Sequence, residues 1–479
     1  MRFKTKIGKQ LFTQLCVLVL AIAYLPMVAQ KESKKALNFI IIFADDLGYG
    51  DLGIYCHPTI STPNLDRMAN EGQKWTNFYV GASVCTPSRA ALLTGRLPVR
   101  SGMSGDLARV LFPNSLNGLP DQEITLAEQL KSVGYSTACI GKWHLCHREQ
   151  YLPTNHGFDY YFGIPYSNDM DITKKLEGPS GYWDLWTKEY ENLKIEDFNV
   201  PLIKNKTLIE RPADLHTITK RYTDKSVDWI KKNREVPFFL YLAYNLPHVP
   251  LFASDEFKGN SKGGLYGDVV EEIDFNIGRL LNLLKEEGLT ENTIVLFTPD
   301  NGPWLPTELS GGSSGLLRNG KGTTWEGGMR VPCIFWSPGN VNPKTVMHMG
   351  TTMDLFTTFS KLGGASIPED RKIDGIDLSK VLFGTGKSPR EEVYYYRGRE
   401  IYAVRVGPYK AHFVTQEVYV PNPKKVHHDP PLLFNVDQDP AERFNIAEKY
   451  PEIVSLIKER TEQPNNKMVK GPDLLKDRE

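Results

Sequence analysis

The chain has 479 residues, 41% of them hydrophobic and 11% aromatic, so it can bury a large core and is not a disordered protein. Lysine plus arginine and aspartate plus glutamate number 57 each, which leaves a formal net charge of zero. This balance argues against a nucleic-acid partner, and any chemistry on anions has to come from charges placed locally.

The first predicted element is an export signal over residues 1–29. It begins with a basic stretch, residues 11–25 are mostly apolar, and Ala29 ends a plausible cleavage site. A membrane anchor is the alternative, but the apolar stretch is short for a span and polar residues interrupt it. We therefore expect an exported protein with no membrane span once the signal is removed.

Few cysteines follow that signal. They are Cys56, Cys85, Cys139, Cys146 and Cys333. Five cysteines in a chain of this length do not form a disulfide framework, although one bridge is an option. Four of them are explained as small buried residues. Cys85 differs because of its neighbours in the sequence.

Apolar runs alternate with helical patterns along residues 36–384, where we predict the catalytic domain. The predicted strands are 38–44, 135–140, 237–244, 293–298 and 331–336, and the predicted helices are 64–70, 125–133, 214–233, 268–287 and 353–362. This alternation predicts an α/β fold with a large, mostly parallel sheet between helices.

The pattern changes after residue 384. Short strands are predicted at 393–396, 401–406, 409–415 and 432–436, followed by a helix near 448–460. They predict a smaller C-terminal antiparallel α+β domain at 385–465 and a loose tail at 466–479.

Polar residues follow four of the predicted strands. They are Asp45 and Asp46, Lys142 and His144, His248, and Asp300 and Asn301. Each has a structural explanation by itself, as a turn residue or a packed histidine. The carboxyl ends of parallel strands share one edge of the sheet, and ligands bind at that edge. The convergence of these polar residues there predicts a ligand-binding site. The acids and the amide favour Ca²⁺ or Mg²⁺ over zinc.

Two further motifs are predicted to reach the same edge. Pro87 near the start and Gly95 at the end mark a short predicted helix with Cys85 at its N-terminus. Free N–H groups at that N-terminus, together with the Arg89 cation, would favour binding of an anion. Lys321 lies between two glycines in a segment that joins two predicted strands. A buried structural cysteine and a solvated surface lysine are the alternatives for these motifs.

These motifs resemble those of the sulfatase family. The run Cys85-Thr86-Pro87-Ser88-Arg89, closed by Thr94-Gly95-Arg96, matches its signature, and Gly141–His144, Asp300–Gly302 and Gly320–Pro332 match as well. The chain is similar to formylglycine-dependent type I sulfatases of the alkaline-phosphatase-like superfamily, and among them to the arylsulfatase A branch. The resemblance covers about residues 38–445.

The resemblance implies a modified nucleophile and one metal ion. Cys85 would be oxidised by a formylglycine-generating maturation enzyme, and the hydrated aldehyde would attack sulfur to form a sulfo-enzyme intermediate. One Ca²⁺ would be held by Asp45, Asp46, Asp300, Asn301 and the modified Cys85.

The resemblance also implies the remaining roles. Arg89 and Lys142 would support the formylglycine, and His144 would take the proton whose loss expels sulfate. His248 and Lys321 would bind sulfate and help protonate the leaving alcohol, with Ser167 a less specific match to a sulfate-site serine.

The implied substrate is a sulfated carbohydrate, with galactose 3-O-sulfate first and a 6-O- or 4-O-sulfate of galactose or N-acetylgalactosamine as the alternative. A phosphatase or phosphodiesterase of the same fold, and an inactive glycan-binding relative with unmodified Cys85, stay open as other functions. The sparse cysteines suit a bacterial periplasmic or secreted protein better than a lysosomal one.

Overall fold

The computed structural model of the chain describes residues 35–178, 180–420 and 422–479. The export signal predicted over residues 1–29 lies outside them. Among the described helices none combines the length and apolar character needed to cross a membrane.

A ten-stranded sheet dominates the structure. Its strands are β1 (Asn38–Ala44), β2 (Gln73–Tyr79), β3 (Ser136–Gly141), β4 (Tyr160–Gly163), β5 (Leu202–Lys204), β6 (Thr207–Glu210), β7 (Phe238–Ala243), β8 (Thr293–Pro299), β9 (Arg330–Trp336) and β10 (Lys344–Thr351). Their order across the sheet is β10-β2-β9-β8-β1-β7-β3-β4-β5-β6. The neighbours β8, β1, β7, β3 and β4 are all parallel, which confirms the predicted α/β class.

Strand β1 lies in the middle of this parallel part, and all of its residues are buried. Ile40 and Ile42 contribute to the hydrophobic core on one face of the sheet, whereas Phe39, Ile41 and Phe43 contribute to the core on the other. Since alternate residues of a strand point to opposite faces, an unbroken apolar run is the pattern of a strand covered on both sides.

Helices cover both faces. They are α1 (Pro63–Glu71), α2 (Cys85–Thr94), α3 (Pro98–Ser101), α4 (Leu126–Lys131), α5 (Gly181–Thr187), α6 (Ile218–Asn233), α7 (Gly264–Glu286), α8 (Glu326–Met329), α9 (Asp354–Leu362), α10 (Ser379–Leu382) and α11 (Pro451–Asn466). Residues of α1, α6 and α7 belong to the core that holds Ile40. Residues of α2, α4 and α9 belong to the core that holds Phe39.

The direction of β9 matters for the site. Strand β9 was expected from its apolar run, but it lies antiparallel to both β8 and β2. The connection from β8 to β9 therefore starts and finishes at the same edge of the sheet. Strands β2, β4, β5, β6 and β10 were not predicted; β5 and β6 are short, and the pattern of β2 is mostly polar.

A four-stranded antiparallel sheet follows, in the order β11 (Glu392–Arg397), β12 (Glu400–Val406), β13 (Tyr409–Gln416) and β14 (Lys425–Asn435). It agrees with the predicted antiparallel C-terminal part, while the domain limits 385–465 stay a prediction. The end of the chain, expected to be loose, instead forms backbone hydrogen bonds with an earlier loop: Leu116 N–H donates to Asp477 over 3.1 Å and Glu479 N–H to Asn114 over 2.9 Å.

A buried ionic network joins the small sheet to the large one. Glu326, at the start of α8, accepts hydrogen bonds from the Tyr79 hydroxyl of β2 (2.8 Å) and the Tyr395 hydroxyl of β11 (2.7 Å). Lys410 of β13 donates to the same carboxylate over 3.0 Å. These side chains are fully buried, so the two sheets meet through direct polar contacts in the interior.

Candidate active site

Four parallel strands deliver polar residues to one crevice. Strand β1 is followed by Asp45 and Asp46, β3 by Lys142 and His144, β7 by His248, and β8 by Asp300 and Asn301. Because these strands are consecutive neighbours in the sheet, their carboxyl ends lie side by side. Together with Cys85, Arg89, Ser167 and Lys321 these residues are all buried, with Lys321 the most exposed at 6%.

Carboxylates crowd the centre of the crevice. Asp45, Asp46, Cys85 and Asp300 each offer one ligand atom, and these atoms lie within 4.8 Å of one another. Burial, and next the charge of Asp45, raise the pKa of Asp300 to about 7. Since buried like charges repel, the cluster is stabilised by any cation that enters it.

Asn301 completes an oxygen-rich donor set. Its Nδ2 donates to Asp46 over 2.6 Å, while its buried Oδ1 has no hydrogen-bond partner among the described residues. An orphaned amide oxygen beside three carboxylates is the donor chemistry that calcium or magnesium prefers. The residues present therefore fit a hard divalent cation.

Cys85 is the first residue of helix α2, which is buried along its whole length and is ended by Gly95 at a φ of 66°. The Cys85 thiol donates to Asp45 over 3.4 Å. Burial, and next the charge of Asp45, raise the pKa of this thiol well above its ordinary value. The encoded cysteine is therefore a protonated thiol and a poor nucleophile as it stands.

Arg89 of α2 and Lys142, which follows β3, both contact the acids of the crevice. Arg89 donates to the Asp300 carboxylate over 2.8 Å and to the Lys142 carbonyl over 2.9 Å. The Lys142 ammonium forms an ion pair with Asp45 and donates to the Ser167 hydroxyl over 3.1 Å. Two fixed cations thus orient the acids next to Cys85.

His144 is placed to accept a proton. Its Nε2 lies 2.9 Å from the carbonyl oxygen of Leu111, so Nε2 carries the hydrogen, and the buried Nδ1 has no partner among the residues described. Burial, and next the charge of Lys142, hold the pKa of His144 well below its ordinary value. The imidazole is therefore neutral, with a free lone pair on Nδ1.

His248 and Lys321 close the other side of the crevice. The His248 Nδ1 lies 2.6 Å from the Val249 carbonyl oxygen, while its Nε2 lies 3.4 Å from both the Ser167 hydroxyl and an Asp46 oxygen. Lys321 donates to Asp46 over 2.7 Å, which raises its pKa well above the usual range although burial opposes this. The antiparallel direction of β9 brings Lys321 here, because its segment returns to the edge that β8 leaves.

A cavity of about 680 Å³ leads to this crevice. Cys85, His144, Ser167, His248 and Lys321 line its floor. Four aromatic residues also line it and form what we call the aromatic wall; they are Tyr182, Trp183, Trp304 and Tyr419. The Trp304 ring lies 5.4 Å from that of Tyr419 and 6.1 Å from that of Trp183. Sequence reasoning did not identify these positions, although the segment 166–213 is visibly rich in aromatic residues.

Comparisons with known families agree with this site. A profile described as Sulfatase matches residues 37–365, and a profile described as the C-terminal region of aryl-sulfatase matches residues 388–479. Arylsulfatase A of Bos taurus is 42% identical over 452 residues, covering 90% of this chain and 87% of the relative. N-acetylgalactosamine-6-sulfatase of Canis lupus familiaris is 39% identical over 477 residues, covering 91% and 87%.

Solved structures are similar over the same extent. The PsFucS1 sulfatase from Pseudoalteromonas sp. superposes with a TM-score of 0.79 at 31% identity, covering 91% of this chain and 92% of that one. Ps i-CgsB, solved in complex with k-i-k-neocarrahexaose, superposes with a TM-score of 0.74 at 30% identity, covering 90% and 93%.

Proposed function

This chain belongs to the sulfatase family and is a sulfuric ester hydrolase, and we propose that it removes sulfate from a carbohydrate, with galactose 3-O-sulfate as the first candidate substrate. One observation carries the proposal: Cys85, two histidines and Lys321 line one cavity, directly beside the acid cluster to which Cys85 belongs. An aromatic wall suits a sugar ring, and a similar protein was solved with a neocarrahexaose.

The relatives divide between two names, and one of them gives the position of the sulfate. Identity to arylsulfatase A is 42% and to N-acetylgalactosamine-6-sulfatase 39%. A 6-O-sulfate of galactose or N-acetylgalactosamine is therefore the second candidate, and a 4-O-sulfate is the third.

Two groups that the family implies would complete the site. Asp45, Asp46, Asp300 and Asn301 would hold one Ca²⁺, which would neutralise charge on the sulfuryl oxygens. Oxidised to formylglycine, Cys85 would supply an aldehyde hydrate as the nucleophile, which the protonated thiol cannot provide.

The remaining residues bind sulfate and move protons. Lys142 and Arg89 hold Asp45 and Asp300 in place beside residue 85. Lys321 and the Nε2 of His248 face the same space and would bind the sulfate, with His248 positioned to protonate the leaving oxygen. The free Nδ1 of His144 would accept the proton from the nucleophile side.

A phosphatase with two zinc ions is the second candidate function. His248 is the one histidine in the two possible metal clusters found among the described residues, and their other members are three carboxylates and Cys85. Two zinc ions need several histidine ligands, whereas oxygen donors suit a hard cation such as Ca²⁺. This oxygen-rich donor set favours the sulfatase.

The test is sulfate release from defined sugars. The protein is co-produced with a formylglycine-generating enzyme and assayed on the 3-O-, 4-O- and 6-O-sulfates of galactose, on N-acetylgalactosamine 6-sulfate, and on matched phosphate esters. We expect the highest kcat/KM on galactose 3-O-sulfate. Preference for another position would replace the substrate assignment, and faster hydrolysis of phosphate esters would overturn the function.

A further inference from the structure

A second cavity adjoins the catalytic one. It has a volume of about 490 Å³ and lies between the loop that holds Asp106 and the small antiparallel sheet. Its lining includes Arg109, Arg397, Arg399, Tyr402, Lys425 and Lys470; we call it the arginine groove. Arg109 also lines the catalytic cavity, so the two cavities meet at its side chain. Volumes of this size are typical of ligand sites.

The three arginines of the groove have no acidic partner among the described residues. Arg109 donates to the Gly322 carbonyl over 2.9 Å, Arg399 to the Gly471 carbonyl over 2.7 Å, and Arg397 to the Gln416 carbonyl over 3.3 Å. The Nη1 of Arg399 is buried and has no hydrogen-bond partner in this part of the chain. A guanidinium with an orphaned buried donor is an unsatisfied group that a ligand can pair with.

The acids nearby do not neutralise these arginines. Asp106 accepts the backbone N–H of Arg399 over 2.8 Å, and Glu400 forms its ion pair with Lys425. Burial, and next the charge of Arg109, lower the pKa of Arg397 to about 10. The groove therefore holds like charges close enough to repel, and an anion would relieve that repulsion.

We propose that the arginine groove binds a second anionic group of the substrate glycan, a sulfate ester or a carboxylate on a sugar next to the one that loses sulfate. Arginine matches both groups because its planar fork donates two parallel hydrogen bonds to their oxygens. The shared position of Arg109 places this anion beside the catalytic cavity. The inference rests on the proposed carbohydrate sulfatase function and narrows its substrate to glycans with at least two acidic groups.

The experiment uses three oligosaccharides that differ at one group. Each carries the same scissile sulfate, and the neighbouring sugar carries a hydroxyl, a second sulfate or a carboxylate. We expect the second anion to raise kcat/KM by about 10- to 100-fold, because charge-assisted hydrogen bonds contribute about 1.5–3 kcal/mol. The larger of the two gains identifies whether sulfate or carboxylate is the natural group.

Two substitutions and one control variant test whether this gain in kcat/KM arises at the arginine groove. Arg397→Gln should lower the preference for the doubly anionic substrate by about 10-fold, and Arg397→Lys should restore part of it because the charge returns. Arg67→Gln removes an exposed arginine from α1, which packs against α7, and should keep the full preference. Thermal unfolding confirms that each variant is folded, and Arg399→Gln replaces Arg397→Gln if the latter does not fold.

The outcomes distinguish failure of the arginine-groove proposal from failure of the proposed carbohydrate sulfatase function. Turnover of all three oligosaccharides at equal kcat/KM, or an equal loss on all three in Arg397→Gln, would overturn the second site and leave the sulfatase function standing. Turnover of none would contradict the carbohydrate substrate. In that case calorimetric titration with the disulfated oligosaccharide still tests the groove, since Arg397→Gln must weaken its binding by about 10-fold for the proposal to hold.

Discussion

The catalytic crevice and the Glu326 network are both buried clusters of acids and cations, but the pKa of a central carboxyl is shifted in opposite directions in the two. In the network, burial opposes the charge of Glu326, but Lys410, Arg330 and Arg405 outweigh it and hold the pKa of this carboxyl below its ordinary value. In the crevice, the pKa of Asp300 is raised to about 7 and the Oδ1 of Asn301 has no partner among the described residues.

The difference shows how structural and functional ionic clusters can be told apart. Both oxygens of Glu326 receive hydrogen bonds from groups of the protein, so this carboxylate is fully paired and joins two sheets. In the crevice, Asp45, Asp46 and Asp300 bring ligand atoms within 4.8 Å of one another, so their charges act on each other although three cations donate to them. A carboxyl whose pKa is raised by burial and by its acidic neighbours, beside a metal-ligand cluster and an unpaired amide oxygen, indicates a ligand site.

Replacement of Cys85, the proposed nucleophile of the crevice, should have the largest effect on activity. Cys85→Ala is expected to lower kcat by at least about 10⁴-fold, because removal of a nucleophile leaves only binding and electrostatic contributions. Cys333→Ala, which truncates another buried cysteine in β9, is the matched control and should keep activity. Steady-state sulfate release measures both, and near-normal turnover by Cys85→Ala would contradict the assigned nucleophile.

Disruption of the Glu326 network should act on stability instead. Glu326→Gln removes the charge that compensates Lys410 at 3.0 Å and Arg330 at 3.5 Å. We expect the free energy of unfolding to fall by about 3–5 kcal/mol, because buried cations are left uncompensated. Glu149→Gln, in an exposed pair with Lys206, should cost at most about 1 kcal/mol. Denaturant unfolding compares the two, and equal costs would refute a structural role for the network.

Lowering the pH should weaken the Glu326 network through protonation of His412, which lies beside Lys410 and Glu442. Burial, and next the charge of Lys410, lower the pKa of His412 to about 4, although Glu442 lies 2.7 Å from its Nε2. The folded state thus favours the neutral imidazole, and this contribution is full above the unfolded pKa of about 6.5 and is lost as pH falls towards 4. We expect up to about 3 kcal/mol of stability to disappear over that window. His412→Asn should show a smaller loss between the same pH values, and an unchanged pH profile would rule out His412 as the cause.

Calcium should stabilise the crevice and leave the network unaffected. Saturation at a hundred times Kd stabilises a folded protein by about 2.7 kcal/mol, so Tm should rise by a few degrees over the value in chelator. Asn301→Ala should reduce this rise, because it removes one oxygen donor, whereas Glu326→Gln should start from a lower Tm and show the full rise. Calorimetric scans with Ca²⁺ and with chelator make the comparison, and an equal rise in Asn301→Ala would exclude Asn301 as a ligand.

Much of the site could be predicted from local sequence. The apolar run 38–44 predicted a doubly covered strand, and the positions of Asp45, Lys142, His248 and Asp300 followed from the rule that parallel strands end at one edge. The helix with Cys85 at its N-terminus was also expected, because Pro87 and Gly95 are local signals. These features depend on residues close together in the chain.

Other features depend on partners far apart in the chain. The antiparallel pairing of β9, which brings Lys321 to the crevice, is set by its contacts with β2 and β8. The aromatic wall joins Trp183, Trp304 and Tyr419 from separate loops, and no local pattern marks them as neighbours.

The amino-acid sequence alone predicted the fold class, the helix that begins at Cys85 and the residues of the acid cluster, because each follows from periodicity, turn chemistry or a contiguous motif. Only the tertiary structure decided which of these groups are satisfied. Glu326 accepts hydrogen bonds from three donors, whereas Asn301 Oδ1 has no partner and Arg397 pairs with no acid among the described residues. The physical reason is that hydrogen bonding and charge compensation depend on distances across the fold, which are settled only when distant segments pack together.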